Sequence, residues 1–197
     1  MAIDTTNCLI NGGTWTTVQT YLGAADTEKT FVEGIINAAS WRANSETKRL
    51  LLARDRTDYY DGKGGVTLLT RQSPVNAMSG IFQDTAYVFG TDTEITTDEY
   101  QLYSEMGNGV GMIVLTTTVF TIGPRVIKVM NNEGYSTVPA DLEMAVIELC
   151  MDIYKRLREK RVVVGSVSVE GKSISYTGEL PTTVRKVFDL YRRDALA

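Results

Sequence analysis

Histidine does not occur anywhere in the 197 residues. That removes the side chain most often used as a general acid or base near neutral pH, and the commonest nitrogen ligand for metals. Enzyme readings therefore start at a disadvantage, and no cofactor or metal is expected. Cysteine occurs only twice, as Cys8 and Cys150, too few and too far apart for a disulfide framework, so both are expected as reduced thiols. No run approaches the roughly 18 apolar residues of a membrane span. The opening "MAIDTTNCLINGG" lacks the basic region and apolar run of an export signal. The expectation is a soluble product made in a cytoplasm, with no membrane partner. A basic surplus is missing too: 20 Lys and Arg stand against 24 Asp and Glu, a formal charge of −4. A general nucleic-acid binder would neutralise phosphates with an excess of cations, so contact with DNA should be local or weak.

What is present reads as helices, then strands, then helices. The 43% hydrophobic and 22% charged residues suit a soluble globular chain of one domain, or one domain carrying an insertion. A short helix is expected from Trp15 to Leu22, capped by Thr14 and stopped at Gly23. Asp26 should cap a second helix with adjoining stripes of Phe31, Ile35, Ala38 and Val32, Ile36, Ala39. From about Leu50 short runs rich in Val, Ile, Thr, Tyr and Phe alternate with turn residues: "LLLARDRTDYY", "VTLLT", "SPVNAMSGIF", "TAYVFG", "GMIVLTTTVF" and "RVIKVMNN". They predict antiparallel strands. The period returns to helical in "STVPADLEMAVIELCMDIYKRLREKR", with Leu142, Val146, Leu149, Ile153 and Leu157 on one stripe and Met144, Ile147, Met151 and Tyr154 beside it.

"VSVEGKSISY" predicts a hairpin turning at Gly171 and Lys172, with an apolar face and a serine face. Pro181 then opens a helix whose Val184, Val187, Phe188 and Tyr191 fall at i, i+3, i+4 and i+7, opposite Arg185, Lys186, Asp189, Arg192 and Arg193. So short a helix is marginal alone. It must lie on its own domain or on a partner subunit. The fold expected is α+β: a helical bundle interrupted by an antiparallel β module, with a β-hairpin and a C-terminal helix. Its segments are 1–49, 50–137, 138–180 and 181–197.

Motifs for chemistry fail on inspection. "DGKGGVT" lacks the Gly-Lys-Ser/Thr ending of a phosphate loop and precedes a strand, so it predicts a hairpin turn. Ser166, Ser168, Ser173 and Ser175 alternate at strand spacing without a nucleophile elbow or an activating histidine. Asp55, Asp58 and Asp61 match no calcium loop. A hydrolase or carbohydrate-binding reading of the β module has only Asp58, Tyr59, Tyr60 and Asp61 to draw on.

"VPADLEMAVIELCMDIYKRLREKR" followed by "GKSISYTGELPTTVRKVFDLYRR" resembles the head-tail connector, or head-completion, proteins of tailed double-stranded DNA bacteriophages. The positions that carry the resemblance are Val138, Pro139, Asp141, Leu142, Leu180, Pro181, Val184, Tyr191, Arg192 and Arg193. "TVQTYLGAADTEKTFVEGIINAAS" and "YYDGKGGVTLLTRQSPVNAMSGIF" extend it toward the N-terminus. The resemblance implies a virion protein of the neck, made in the bacterial cytoplasm. It implies a homo-oligomeric ring, dodecameric in the virion and built from subunits monomeric in solution. That ring lies beneath the portal protein, extends the channel through which double-stranded DNA passes without specific binding, and offers a platform to a stopper or tail-completion protein. It further implies portal binding through Val184, Arg185, Lys186, Val187, Phe188, Tyr191, Arg192 and Arg193, and ring formation through Leu142, Val146, Leu149, Ile153 and Leu157. A stopper or tail-completion protein is the alternative within the same assembly.

Overall fold

The computed structural model describes residues 2–13, 15–105, 111–158, 166–169, 172–175 and 180–193. They fall into two compact units, one of Met1–Thr47 with Val138–Tyr191 and one of Lys48–Thr137 with Arg192–Ala197.

The first unit is helical: α1 (Trp15–Leu22), α2 (Lys29–Thr47), α3 (Ala140–Arg158) and α4 (Thr182–Tyr191). Gly23 ends α1 at φ +61°, its N–H donating to the Gln19 carbonyl at 2.9 Å. A side chain would be strained there, which is why glycine closes the helix. The entry to α2 differs from expectation. A 3₁₀ turn, Asp26–Glu28, precedes it, and Glu28 reaches back to accept the Ala25 N–H at 3.1 Å. Asp26 instead accepts from Gln19 Nε2 at 2.7 Å. The tighter turn brings the residue three places on, not the nearer aspartate, over the orphan amide.

The face of α2 made by Val32, Ile35, Ile36, Ala39 and Ala43 is buried. Beside it, Ser40 Oγ accepts the Leu9 N–H at 3.1 Å and Asn37 accepts the Asp4 N–H at 2.9 Å, so polar α2 residues tie down the segment ahead of α1. Helix α3 begins behind Pro139, where the missing N–H costs nothing. Asp141 and Glu143 lie in its first turn and Lys155, Arg156 and Arg158 in its last, each sign matching the helix dipole. Helices α2 and α3 each pack against the other three, with α1 and α4 to either side of this pair. Cys8 and Cys150 are free and buried in this unit.

Among the described residues the second unit holds the strands β1 (Arg54–Gly62), β2 (Thr67–Leu69), β3 (Val75–Gln83), β4 (Glu94–Ile95), β5 (Tyr100–Tyr103), β6 (Met112–Leu115) and β7 (Gly123–Glu133). They form two antiparallel sheets, ordered β1-β7-β3-β4 and β2-β6-β5. Leu68, Ile113 and Leu115 of one sheet meet Ile81, Val126, Ile127 and Val129 of the other around Phe120, giving a single apolar core. Two sequence expectations fail here. The loop at 61–67 is no hairpin, because β1 pairs with β7 and β2 with β6, and the loop carries the chain from one sheet to the other. "TAYVFG" is no strand. The Asp84 carboxylate accepts the N–H groups of Ala86, Val88 and Phe89 at 2.7, 2.8 and 2.9 Å. A side chain that takes three of the segment's six amides competes directly with a ladder. Those bonds, the Phe89 amide first, hold the Asp84 carboxyl below its usual range.

Strands β8 (Ser166–Val169) and β9 (Lys172–Ser175) form a separate hairpin. Val167 pairs with Ile174, Ser166 with Ser175 and Ser168 with Ser173. Val169 pairs with Lys172, where the expected turn would pair it with Ile174; the expected turn residue Gly171 lies outside the described residues. The two registers differ by two residues, a whole period of the strand, so sequence alternation does not distinguish them.

Candidate functional site

The basic amphipathic helix at the C-terminal end rests on its own subunit. Val184 is 0% and Phe188 2% exposed, and α4 packs against α2 and α3. Both were expected as portal anchors; here they are covered by the helix's own unit, where the apolar stripe of so short a helix serves to make the helix stable. Val187 and Tyr191 are half-buried, the Tyr191 hydroxyl donating to Asp141 at 2.6 Å. Thr183 likewise donates to Glu148. Arg185, Lys186 and Arg192 are exposed, while Arg193 is half-buried and donates to the Arg71 carbonyl within the β unit. Sequence reasoning passed over Leu190, which is 79% exposed. The signal was its position, an apolar residue four after Lys186 on the charged face.

The stripe of α3 expected to build a ring is likewise internal. Leu142, Val146 and Leu149 are buried in the subunit's own core, Ile153 is half-buried, and only Leu157 is exposed. A helical period reports that a stripe is covered, not by whom. The apolar side chains that the helical unit does expose are others, among them Tyr21, Phe31, Trp41 and Met144.

Asp58, Tyr59, Tyr60 and Asp61 lie together in the wall of a groove of about 920 Å³ between β1 and β2. Alternation along β1 separates them: Asp58 and Tyr60 share one face, Tyr59 and Asp61 the other. One Asp58 oxygen accepts from both Arg56, at 3.2 Å, and Arg71, at 3.1 Å. Arg71 also donates to the Tyr59 carbonyl at 3.0 Å, and its backbone N–H donates to the Tyr60 hydroxyl at 3.0 Å. Burial pushes that phenol far above its ordinary value, so it stays neutral. Arg125 lies 5.1 Å from the Tyr59 ring centre, and its N–H donates to Asp61 at 2.7 Å. Each carboxylate is thus engaged by an arginine side chain or amide, an arrangement that holds β1, β2 and β7 in place and presents aromatic and cationic groups to the groove.

Behind Asp58 sits Glu133, 1% exposed, accepting from Asn131 at 2.6 Å with Arg56 3.9 Å away. Burial raises its carboxyl above the usual 4.5. An acid whose native value exceeds its unfolded one binds its proton more tightly when folded. Its contribution to stability is therefore complete below about pH 4.5 and lost as pH rises through the raised value. Glu133→Gln, which keeps the acceptor for Asn131, should be at least as stable as the parent at pH 7, with a flatter rise of melting temperature on acidification. A variant that melts several degrees lower at pH 7 would refute this account.

Helical unit, inserted β sandwich, hairpin and returning terminal helix together make a distinctive succession. The family model described as "Head completion protein" matches residues 14–194. The chain belongs to that family. Among solved structures, this head completion protein is similar to a chain in the neck of a native gene transfer agent particle computed with C12 symmetry, at 15% identity and TM-score 0.63, covering 100% of this chain and 94% of that one. A chain in the virion of a native gene transfer agent particle matches at 16% identity and TM-score 0.63, over 100% and 95%. One in the neck of an empty particle, computed with C6 symmetry, matches at 17% and 0.62, over 93% and 90%. No curated protein sequence matches. At these identities the structural matches establish a shared fold, and they do so over the whole length.

Proposed function

We propose that this head completion protein is a non-enzymatic structural subunit of the virion neck, a connector that joins a DNA-filled head to its tail. The observation that carries the reading is the family match over residues 14–194, supported by a fold shared end to end with neck proteins. In this reading twelve copies form a ring beneath the portal protein, double-stranded DNA passes through it, and a stopper or tail-completion protein docks below. The twelvefold neck of the similar particle supports the copy number. The chain's charge of −4 suits a channel that must not retain DNA.

Portal contact is assigned to the outward side of α4: Arg185, Lys186 and Leu190 are exposed there while Val184 and Phe188 hold the helix to its unit. Guanidinium and ammonium groups around one apolar side chain suit an acidic, partly apolar portal surface. The test is co-sedimentation with portal-bearing, DNA-filled, tailless particles. The parent chain should bind, and a Arg185→Glu, Lys186→Glu, Leu190→Glu variant should bind at least about tenfold less. Equal binding would move the portal contact elsewhere. Failure of the parent to bind would overturn the connector reading.

A further inference from the structure

The helical unit carries two outward faces that complement each other. On α3, walled by α1 and α4, lies a groove of about 290 Å³ whose apolar lining includes Tyr21, Met144, Met151 and Val187 and whose carboxylates are Asp141 and Glu148. Tyr21 and Met144 are each 49% exposed, so this groove is open to solvent. On α2, Ala38 and Trp41 are exposed along the side opposite Val32, Ile36 and Ala43, while Phe31, nearer the start of the helix, lies 6.0 Å from the Tyr154 ring of α3. Trp41, 50% exposed, stands as a knob on that side, next to Arg42, whose guanidinium lies 2.6 Å from the Glu46 carboxylate one turn on.

The groove lies on α3 with Tyr21 of α1 and Val187 of α4 in its wall, and Trp41 stands on the side of α2 opposite that helix's buried residues, so the two are different faces of the unit. We propose that adjacent copies of this chain meet head to tail in the helical unit, with Trp41 of one copy seated in the Met144 groove of the next and Arg42 facing Asp141 and Glu148. The inference rests on the ring reading above and names the surfaces that close it. Two different faces of one subunit give a heterologous contact, the kind that produces rings where the rotation closes. The partner fits by charge, since the Arg42–Glu46 pair, 54% and 36% exposed, is weakly held in solvent and Arg42 can turn to the two carboxylates, and by chemistry, since a half-exposed tryptophan filling an apolar pit is the usual centre of an interface. It leaves the buried stripe of α3 to the subunit's own core.

The experiment places one cysteine beside each face without removing the knob: Ala38→Cys with Met144→Cys in the full chain, treated with a short thiol crosslinker in assembled particles. The native thiols are buried, and burial pushes Cys150 up to about 12, so both stay silent. A ladder of multimers from the double variant, absent from each single variant, is the expected result. A ring visible by microscopy in the neck without any ladder would overturn these surfaces and leave the connector reading standing. No ring in the neck would overturn both. As a second arm, Arg42→Glu should lower incorporation about fivefold, and adding Glu148→Lys should restore it to within about twofold. Failure of that restoration alongside normal folding counts against the contact.

Discussion

Replacing Phe188 by alanine is expected to destabilise the protein by about 3–5 kcal/mol. The ring is 2% exposed and sits one turn after Val184, which is 0% exposed, on the side of α4 that faces α2 and α3. Truncation there removes apolar contacts and leaves a void that a rigid helical core closes only in part. Helix α4 has 10 residues, too few to persist without that contact, so the loss should spread to the whole helix. Leu190→Ala, on the opposite side and 79% exposed, should change stability by no more than about 0.5 kcal/mol. Denaturant titration of the pair decides the matter: equal midpoints for the two variants would mean that α4 is not part of the subunit's core. The result bears directly on function. Deleting the terminal helix would remove a core element and confuse portal binding with misfolding, whereas surface variants on α4 separate the two.

Asp58→Ala should cost about 3 kcal/mol, the lower end of the range for breaking a buried ion pair. The Asp58 side chain is 5% exposed and serves Arg56 and Arg71 together. Without it Arg56, 25% exposed, keeps only the Glu133 carboxyl, 3.9 Å away, in a largely dry place, while Arg71, 49% exposed, turns to solvent and relieves part of the penalty. That asymmetry is why the upper end of the range is not expected. Arg71 also donates to the Tyr59 carbonyl and to Tyr60 through its backbone, so its release should loosen β1 against the segment after β2. A double-mutant cycle with Arg71→Ala should show coupling above about 0.5 kcal/mol. Additive effects would mean the two groups act independently, and the groove would then need another account.

Several elements were legible because they depend on near neighbours along the chain. Helix α1 has the bounds that its cap residues and Gly23 suggested, and the switch between helical and alternating periods separates helix from strand throughout. The errors share one cause. "TAYVFG" has strand composition, yet Asp84 takes its amides. The loop at 61–67 has turn composition, yet its flanking strands pair elsewhere. The hairpin register differs from the expected one by two residues, a shift that sequence alternation does not detect. In each case the deciding contact lies outside the segment being read.

By itself the sequence determined the α+β class, the helical periods, the absence of histidine chemistry, and the terminal segments that resemble head-completion proteins. These are carried by residue identity and short spacings, which act before the chain folds. Only the tertiary structure decided that Val184, Phe188, Leu142, Val146 and Leu149 face inward within one subunit, that Asp58 is shared by two arginines, and that Trp41 and Met144 are left outside. A stripe of apolar residues has the same period whether its own chain or another covers it, and burial is settled by long-range packing that local pattern does not encode.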